Sequence, residues 1–274
     1  MKHTRALQKV WGHDGIQIVS IEMPCPQTEI LPGIHWGSAE HLFTPAFWKY
    51  QAHMQRKHKK YATYNIGCSL MEEVAVCMLG GYGMPAELGL AAFNKLREHQ
   101  LLDGKASEQV LEKHLSTFFI VSGKQRRYRF PRQKAKYLAL TLKRLRKAEV
   151  PTDAIKLRDF LAKLDGIGPK TASWIVRNHL GTDEVAILDV HIIRAGILMG
   201  LYSCKDNPTQ SYYSMERLFL DFCSALGEQA CLVDAIMWDI MRRIGQNFAL
   251  VMGLSPKNRH AQRDIVLMGR PKCL

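Results

Sequence analysis

An all-helical fold is what this 274-residue chain predicts, and three observations carry the prediction. From about residue 66 the apolar residues recur at three- and four-residue spacing, the period of an amphipathic helix. Glycines stand where those runs stop, as they do at helix C-termini. At 47% hydrophobic residues, the chain has enough apolar surface to close a real core.

The elements follow in chain order. Residues 1–65 read unlike the rest. Ile16, Ile18 and Ile21 suggest a short strand, and Pro24, Pro26, Pro32 and Pro45 interrupt any longer element. This stretch is expected as a less regular N-terminal extension, with a helical pattern over 45–60 that can belong to the core. Leu70, Val74, Cys77 and Met78 form a first core helix that stops at Gly80 and Gly81. Pro85 opens a second, with Leu88, Ala92 and Leu96 on one face. Val110, Leu111 and Leu115 mark a third. Ala135, Leu138, Leu142 and Leu145 line a fourth, whose other faces carry Lys134, Lys136, Lys143, Arg144 and Lys147. A short helix precedes Leu164, and a longer one runs from Pro169 to about Leu180. Ile192, Ile193, Ala195 and Leu198 suggest a helix ending near Gly200. Met215, Leu218, Phe219, Phe222, Cys223 and Leu226 keep strict spacing up to Gly227. Leu232, Val233, Ile236, Met237, Ile240 and Ile244 complete the set before Gly245. The expected segments are an extension over 1–65, a helical core over 66–246 and a basic tail over 247–274.

Charge narrows the partners. The formal net charge is +13, which favours a polyanion. Residues 124–147 hold eleven Lys or Arg and no acid, interleaved with Tyr128, Phe130 and Tyr137. Arg56, Lys57, Lys59 and Lys60 form a second cluster. Lys257, Arg259, Arg263, Arg270 and Lys272 form a third, with only Asp264 against them. Any one cluster also suits a solvated helix face. Cations with aromatics between them suit a nucleic-acid backbone and unstacked bases, with affinity that falls steeply with salt. No run of eighteen apolar residues occurs, so no membrane span is expected, and the first residues lack a signal peptide's apolar stretch. The seven cysteines are scattered, with no CxxC pair, which predicts reduced thiols in the cytoplasm and no metal centre.

One run carries chemistry: Leu164, Asp165, Gly166, Ile167, Gly168, Pro169 and Lys170, with Asp189 nineteen residues after the lysine. Two glycines permit a tight turn, and proline suits a first helical position, so the segment 158–180 reads as a helix, a turn and a helix. Bare amides at a helix start are an anion site, and a phosphate is the natural occupant at Gly166 and Gly168. Arg129, Arg132 and Lys134 are further phosphate candidates. A neutral lysine amine is a nucleophile that forms a Schiff base with a sugar C1′. Asp189 follows the apolar run Val185 to Leu188 and precedes a helix, so it suits an N-cap. It also suits a catalytic carboxylate, because losing a base builds positive charge on the sugar. Trp174, four residues after Lys170, shares its helix face and can stack on an extruded base or simply pack. Asp234 and Trp238 lie one turn apart on the last helix. His191 can orient Asp189 or a phosphate, or serve structure alone.

These motifs resemble the helix-hairpin-helix DNA glycosylase superfamily, and within it the archaeal-type 8-oxoguanine DNA glycosylases. The likeness rests on residues 164–170 and 185–191, on Arg177 and Asn178, and on the run from Tyr128 to Tyr137. It covers roughly 66–246. The resemblance implies a two-lobed, all-helical fold that binds double-stranded DNA containing a damaged or modified base. It implies Lys170 as the Schiff-base lysine, Asp189 as the catalytic aspartate, AP-lyase activity, and a base pocket on the last helix. No cofactor or metal is implied, and a monomer is expected. Absence of a cysteine cluster argues against the endonuclease III branch. Arg242, Arg243, Ile244, Gly245 and Gln246, and 28 further residues, stand where such chains end near a base-reading lysine. That departure leaves the excised base open: 8-oxoguanine, another damaged base, or a hypermodified one from foreign DNA. A non-catalytic helix-hairpin-helix DNA-binding protein is the rival class, and it has no need of Asp189.

Overall fold

A computed structural model describes residues 7–13, 15–56, 66–81, 83–203 and 205–244. The expected basic tail 247–274 with its cationic cluster, Gly245, and Lys57, Lys59 and Lys60 lie outside the described residues. The chain divides into two compact units. One comprises residues 63–185 and the other joins residues 1–62 to residues 186–274.

The second of these begins with a hairpin of β1 (Leu7–His13) and β2 (Ile18–Pro24), paired from Leu7 opposite Pro24 to His13 opposite Ile18. Ile16 lies in the connection and is almost fully exposed, so the expected strand starts two residues later than Ile16 and gains a partner. A smaller pair follows, β3 (Glu29–Leu31) and β4 (Ile34–His35), and then helix α1 (Pro45–Arg56). Phe47 and Trp48 in the first turn of α1 are buried with Phe43 just before it, which places this helix in the core of its unit.

Unit 63–185 contains six helices and a ribbon among its described residues. They are α2 (Leu70–Leu79), α3 (Ala86–Glu98), α4 (Glu108–Leu115), strands β5 (Phe118–Val121) and β6 (Lys124–Arg127), α5 (Pro131–Leu145), α6 (Ala154–Leu161) and α7 (Pro169–Leu180). The predicted apolar faces close the core: Leu88, Ala92 and Leu96 of α3 meet Leu138 and Leu142 of α5 in one buried cluster. Val110 is an exception and faces solvent. Ser69, Ser107 and Asp153 cap α2, α4 and α6 with side-chain oxygens that accept amide protons. The β5–β6 ribbon was not foreseen by helical spacing. Its Phe-Phe-Ile-Val run followed by Ser-Gly is a hairpin signal of its own.

Three helices complete the other unit: α8 (Val190–Leu198), α9 (Tyr212–Leu226) and α10 (Ala230–Ile244). Phe219 and Phe222 of α9 and Met237 of α10 are buried with Trp48 of α1, so the N-terminal stretch shares a core with the last three helices. Glu228, in the turn between α9 and α10, is paired with Lys49 at 2.8 Å and with Arg56. Leu218, which keeps the apolar spacing of α9, sits at its outer edge instead. No described helix is long and apolar enough to cross a membrane.

Candidate active site

The glycine turn is built as its sequence demands. Ile167 N donates to Leu164 O at 3.2 Å, and both side chains are buried. Gly166 takes φ +76°, a left-handed conformation that strains any side chain. It also lies under the Tyr137 ring of α5, where a Cβ would come within 2.7 Å of three ring-side carbons. Thr141 of the same helix donates its hydroxyl to Asp165 O at 2.9 Å. So α5 clamps the turn from one side. Gly168 is the N-cap of α7 and supplies no side-chain cap, and a Cβ there would meet nothing within 4 Å. Gly168 thus adds neither a capping side chain nor bulk at the opening of α7, a helix start of the kind that binds anions.

That difference between two glycines is a test. Gly166→Ala is expected to lower stability by about 1–3 kcal/mol, from backbone strain and the collision with Tyr137. Gly168→Ala should leave thermal unfolding nearly unchanged and weaken DNA binding by crowding a phosphate. Thermal melts and duplex titrations of both variants read this directly. Equal DNA affinity in Gly168→Ala and wild type would remove the phosphate from this turn.

Lys170 follows at the second position of α7, half-buried, with its Nζ 5.9 Å from the ring centre of Trp174. Trp174 is itself half-buried. Its far edge rests on Gly80, the residue closing α2, where a Cβ would sit 3.3 Å from Cη2. Gly80 in turn touches Gly89 of α3, so two glycines let α2 and α3 draw together beneath the indole. Trp174 thus packs on Gly80 through one edge and against the core of its unit, and remains half-buried.

A buried polar network lies further along α7. The Glu73 carboxylate of α2 accepts from Asn178 Nδ2 at 2.7 Å, from Gly67 N at 2.9 Å and from Ile66 N at 3.2 Å. Burial pushes the Cys77 thiol well above its usual range, and the adjoining Glu73 carboxylate adds to this; Arg177 and Lys170 act in the opposite sense. Cys77 is therefore a packed thiol. Asn178 holds α7 to α2 through this network, and Arg177 Nε donates to Asn178 Oδ1 at 3.3 Å.

Asp189 is placed by two devices. It is the N-cap of α8, with Oδ1 accepting from His191 N at 2.8 Å and Ile192 N at 3.0 Å. The segment before it is pinned to α9. Tyr212 donates its hydroxyl to Ala186 O at 2.8 Å and accepts from Leu188 N at 3.3 Å, while the buried Glu216 accepts from Ala186 N at 3.0 Å. Asp189 also has a cationic neighbour. Burial depresses Arg194's hold on its proton, and the Asp189 carboxylate counters that loss. His191 meets Trp238 edge-on at 6.4 Å, and Arg242 stacks on the same indole at 4.6 Å. Trp238 is 39% exposed, whereas Asp234, one turn earlier, is 4% exposed. Lys170 and Trp174 thus stand together in one unit, and Asp189, His191, Asp234 and Trp238 lie in the other.

The basic candidates part company. Lys134 is half-buried and donates to Met78 O at 2.5 Å, and burial lowers its affinity for a proton. One donor of its ammonium is committed to the end of α2. Arg129 donates to Gly83 O at 2.6 Å and remains exposed. Arg132 is exposed at the start of α5 and lines a shallow cleft of about 480 Å³ with Glu108, Gln133, Lys136 and Tyr137.

Tyr128, read from sequence as an aromatic among cations, is a buried strut. Its hydroxyl donates to Leu79 O at 2.6 Å, and burial raises its pKa above the ordinary phenol value of about 10. Because the folded value exceeds the unfolded one, this contribution is complete below about pH 10 and is lost as pH rises through the folded value. Tyr128→Phe is expected to be less stable by about 1 kcal/mol at pH 7. It should also lose less stability than wild type above about pH 10, in denaturant titrations from pH 7 to 11. The strut, the Glu73 network and the Tyr212 and Glu216 pins escaped sequence reasoning, because each joins residues far apart in the chain.

The fold and the hairpin define a class, the helix-hairpin-helix DNA glycosylase fold. An 8-oxoguanine DNA glycosylase of Thermotoga maritima superimposes with a TM-score of 0.54 at 23% identity, covering 71% of this chain and 95% of that one. A Methanocaldococcus jannaschii 8-oxoguanine glycosylase/lyase, solved with a 15mer DNA containing 8-oxoguanine, gives 0.54 at 21% identity, covering 71% and 96%. At these identities the likeness establishes the fold. Residues 54–228 match the family described as 8-oxoguanine DNA glycosylase, and the chain belongs to that family. A curated 8-oxoguanine DNA glycosylase/AP lyase of Metallosphaera sedula is 31% identical over 116 residues, 40% of this chain. The matched segment spans 57% of that relative.

Proposed function

We propose that the protein is a bifunctional DNA glycosylase with AP-lyase activity, which removes 8-oxoguanine from duplex DNA through a Schiff base on Lys170. The observation that carries this is the lysine itself. It stands in the first turn of α7, beside an open glycine turn and 5.9 Å from a half-buried tryptophan, in a chain of this family. The relatives named as glycosylase/lyases support the same activity.

In the proposed sequence the damaged nucleotide leaves the stack, with the turn amides holding a nearby phosphate. The neutral Lys170 amine attacks C1′, the bond from C1′ to the base nitrogen breaks, and the base departs with that electron pair and a proton. Asp189 supplies negative charge while the sugar is cationic, and it accepts or returns the amine proton. Ring opening gives the Schiff base. Loss of a C2′ proton then breaks the bond from C3′ to the phosphate oxygen, which is the lyase step. Trp174, Trp238, Asp234 and His191 are the candidate base-reading groups. On this reading the enzyme acts as a monomer in the cytoplasm, without a cofactor.

Duplexes carrying 8-oxoguanine, other oxidised bases or hypermodified bases are incubated with the protein, and released base and nicked strand are measured. Preferential release of 8-oxoguanine with strand cleavage is expected. Preferential release of another base keeps the Lys170 chemistry and reassigns the substrate. Duplex binding with no release of any base leaves a DNA-binding protein only.

A further inference from the structure

The β5–β6 ribbon presents a face that folding does not require. Its connection is Ser122-Gly123, with φ +50° and +72°, the tight two-residue geometry that suits a twisted hairpin. Phe119 points inward and is buried, its ring 6.5 Å from that of Tyr128 and 5.4 Å from Lys95 Nζ. Phe118 and Ile120 point the other way and are 52% and 67% exposed. Across the ribbon Arg127 pairs with Phe118 and Gln125 with Ile120, and the Arg127 guanidinium lies 4.8 Å from the Phe118 ring centre. Every residue of β6 is exposed, and Lys124, Arg126 and Arg127 are cationic.

Cations alone are a common way to protect an open strand edge from pairing. They do not account for an outward phenylalanine and isoleucine side by side on the same ribbon, where the Arg127 guanidinium stacks on Phe118 and both apolar side chains stay more than half exposed. The charge decides the occupant. Residues 113–148 contain twelve Lys or Arg and no Asp or Glu, so a second copy of this face is repelled and a polyanion is drawn in. The root of the ribbon also bears on the candidate site. Tyr128, the residue after β6, is bonded to Leu79, and the next residue, Gly80, seats Trp174.

We infer that the β5–β6 ribbon is a second DNA-contacting element, with Phe118, Ile120 and Arg127, which share its outward face, against nucleotides outside the lesion, and the exposed Lys124 and Arg126 of the other face reaching flanking phosphates. Such a ribbon is narrow enough to enter a major groove. The inference rests on the function proposed above, and it concerns affinity and not the chemical step.

The test uses the full chain and three proteins: wild type, Phe118→Ser/Ile120→Ser and Arg126→Gln/Arg127→Gln. Duplex affinity is measured across a salt series, with single-turnover excision at saturating enzyme and sedimentation of the free protein. The arginine variant is expected to reduce the slope of log affinity against log salt by about 2, one unit for each lost phosphate contact. The apolar variant is expected to bind about tenfold more weakly with an unchanged slope, as for one lost stacking contact. Saturated excision should stay within about twofold of wild type for both, since neither pair touches the reacting sugar. Thermal melts confirm folding; single Arg127→Gln replaces the arginine pair, and single Ile120→Ser the apolar pair, where the double variant fails to fold. Wild-type affinity and slope in both variants would overturn the inference, as would a wild-type dimer that only the apolar variant dissolves. If wild type excises no base while the variants still lose affinity as described, the ribbon stands and the proposed function falls.

Discussion

Lys170→Gln should yield no covalent adduct when incubated with an 8-oxoguanine duplex and borohydride, a treatment under which wild type should be trapped. Glutamine keeps a polar side chain one atom shorter and removes the nucleophile. Excision is expected to fall on the order of 10³-fold or more, with strand cleavage lost outright. Folding should survive. Lys170 is half-buried at the positive end of α7, where removing a cation is neutral to mildly favourable, within about 1 kcal/mol. Duplex affinity should change little, because the turn amides remain. An adduct of equal yield from the variant would sink the Schiff-base reading, since any other amine would then be the nucleophile.

Asp189→Asn is expected to separate a structural duty from a chemical one. The Asp189 carboxylate caps α8 through two amides, and asparagine caps almost as well. Stability should therefore hold, while excision drops by about 10²–10³-fold as the negative charge facing the sugar disappears. Asp189→Ala loses both functions, and should add roughly 1 kcal/mol of destabilisation to the same kinetic defect. Melting temperatures with single-turnover rates distinguish the cases. If Asp189→Asn excises at the wild-type rate, Asp189 is a cap alone.

Much of the candidate site was legible because its signals are local. Gly166, Gly168, Pro169 and Lys170 are contiguous, and turn chemistry follows from residue type at each place. The N-cap position of Asp189 was legible for the same reason, lying between an apolar run and a helical one. Lys134 shows the limit. By composition it belongs with Arg129 and Arg132, yet α5 turns its ammonium onto Met78 O, which is 56 residues earlier in the chain. The ribbon escapes a helical reading because the four residues of each strand alternate between faces.

The helices, their stops, the glycine turn and the 19-residue interval from Lys170 to Asp189 are legible in the sequence, because each is written in a short stretch of neighbours. Long-range packing set the rest: described residues up to Arg56 share a core with those of 186–244, and Tyr212 and Glu216 pin the approach to Asp189. It also decided that Tyr137 bears on Gly166 and that Phe118 and Ile120 stay in solvent. Those outcomes depend on which buried surfaces and hydrogen-bonding groups meet across long loops. That pairing is a property of the whole chain's packing and is not encoded in any one window of it.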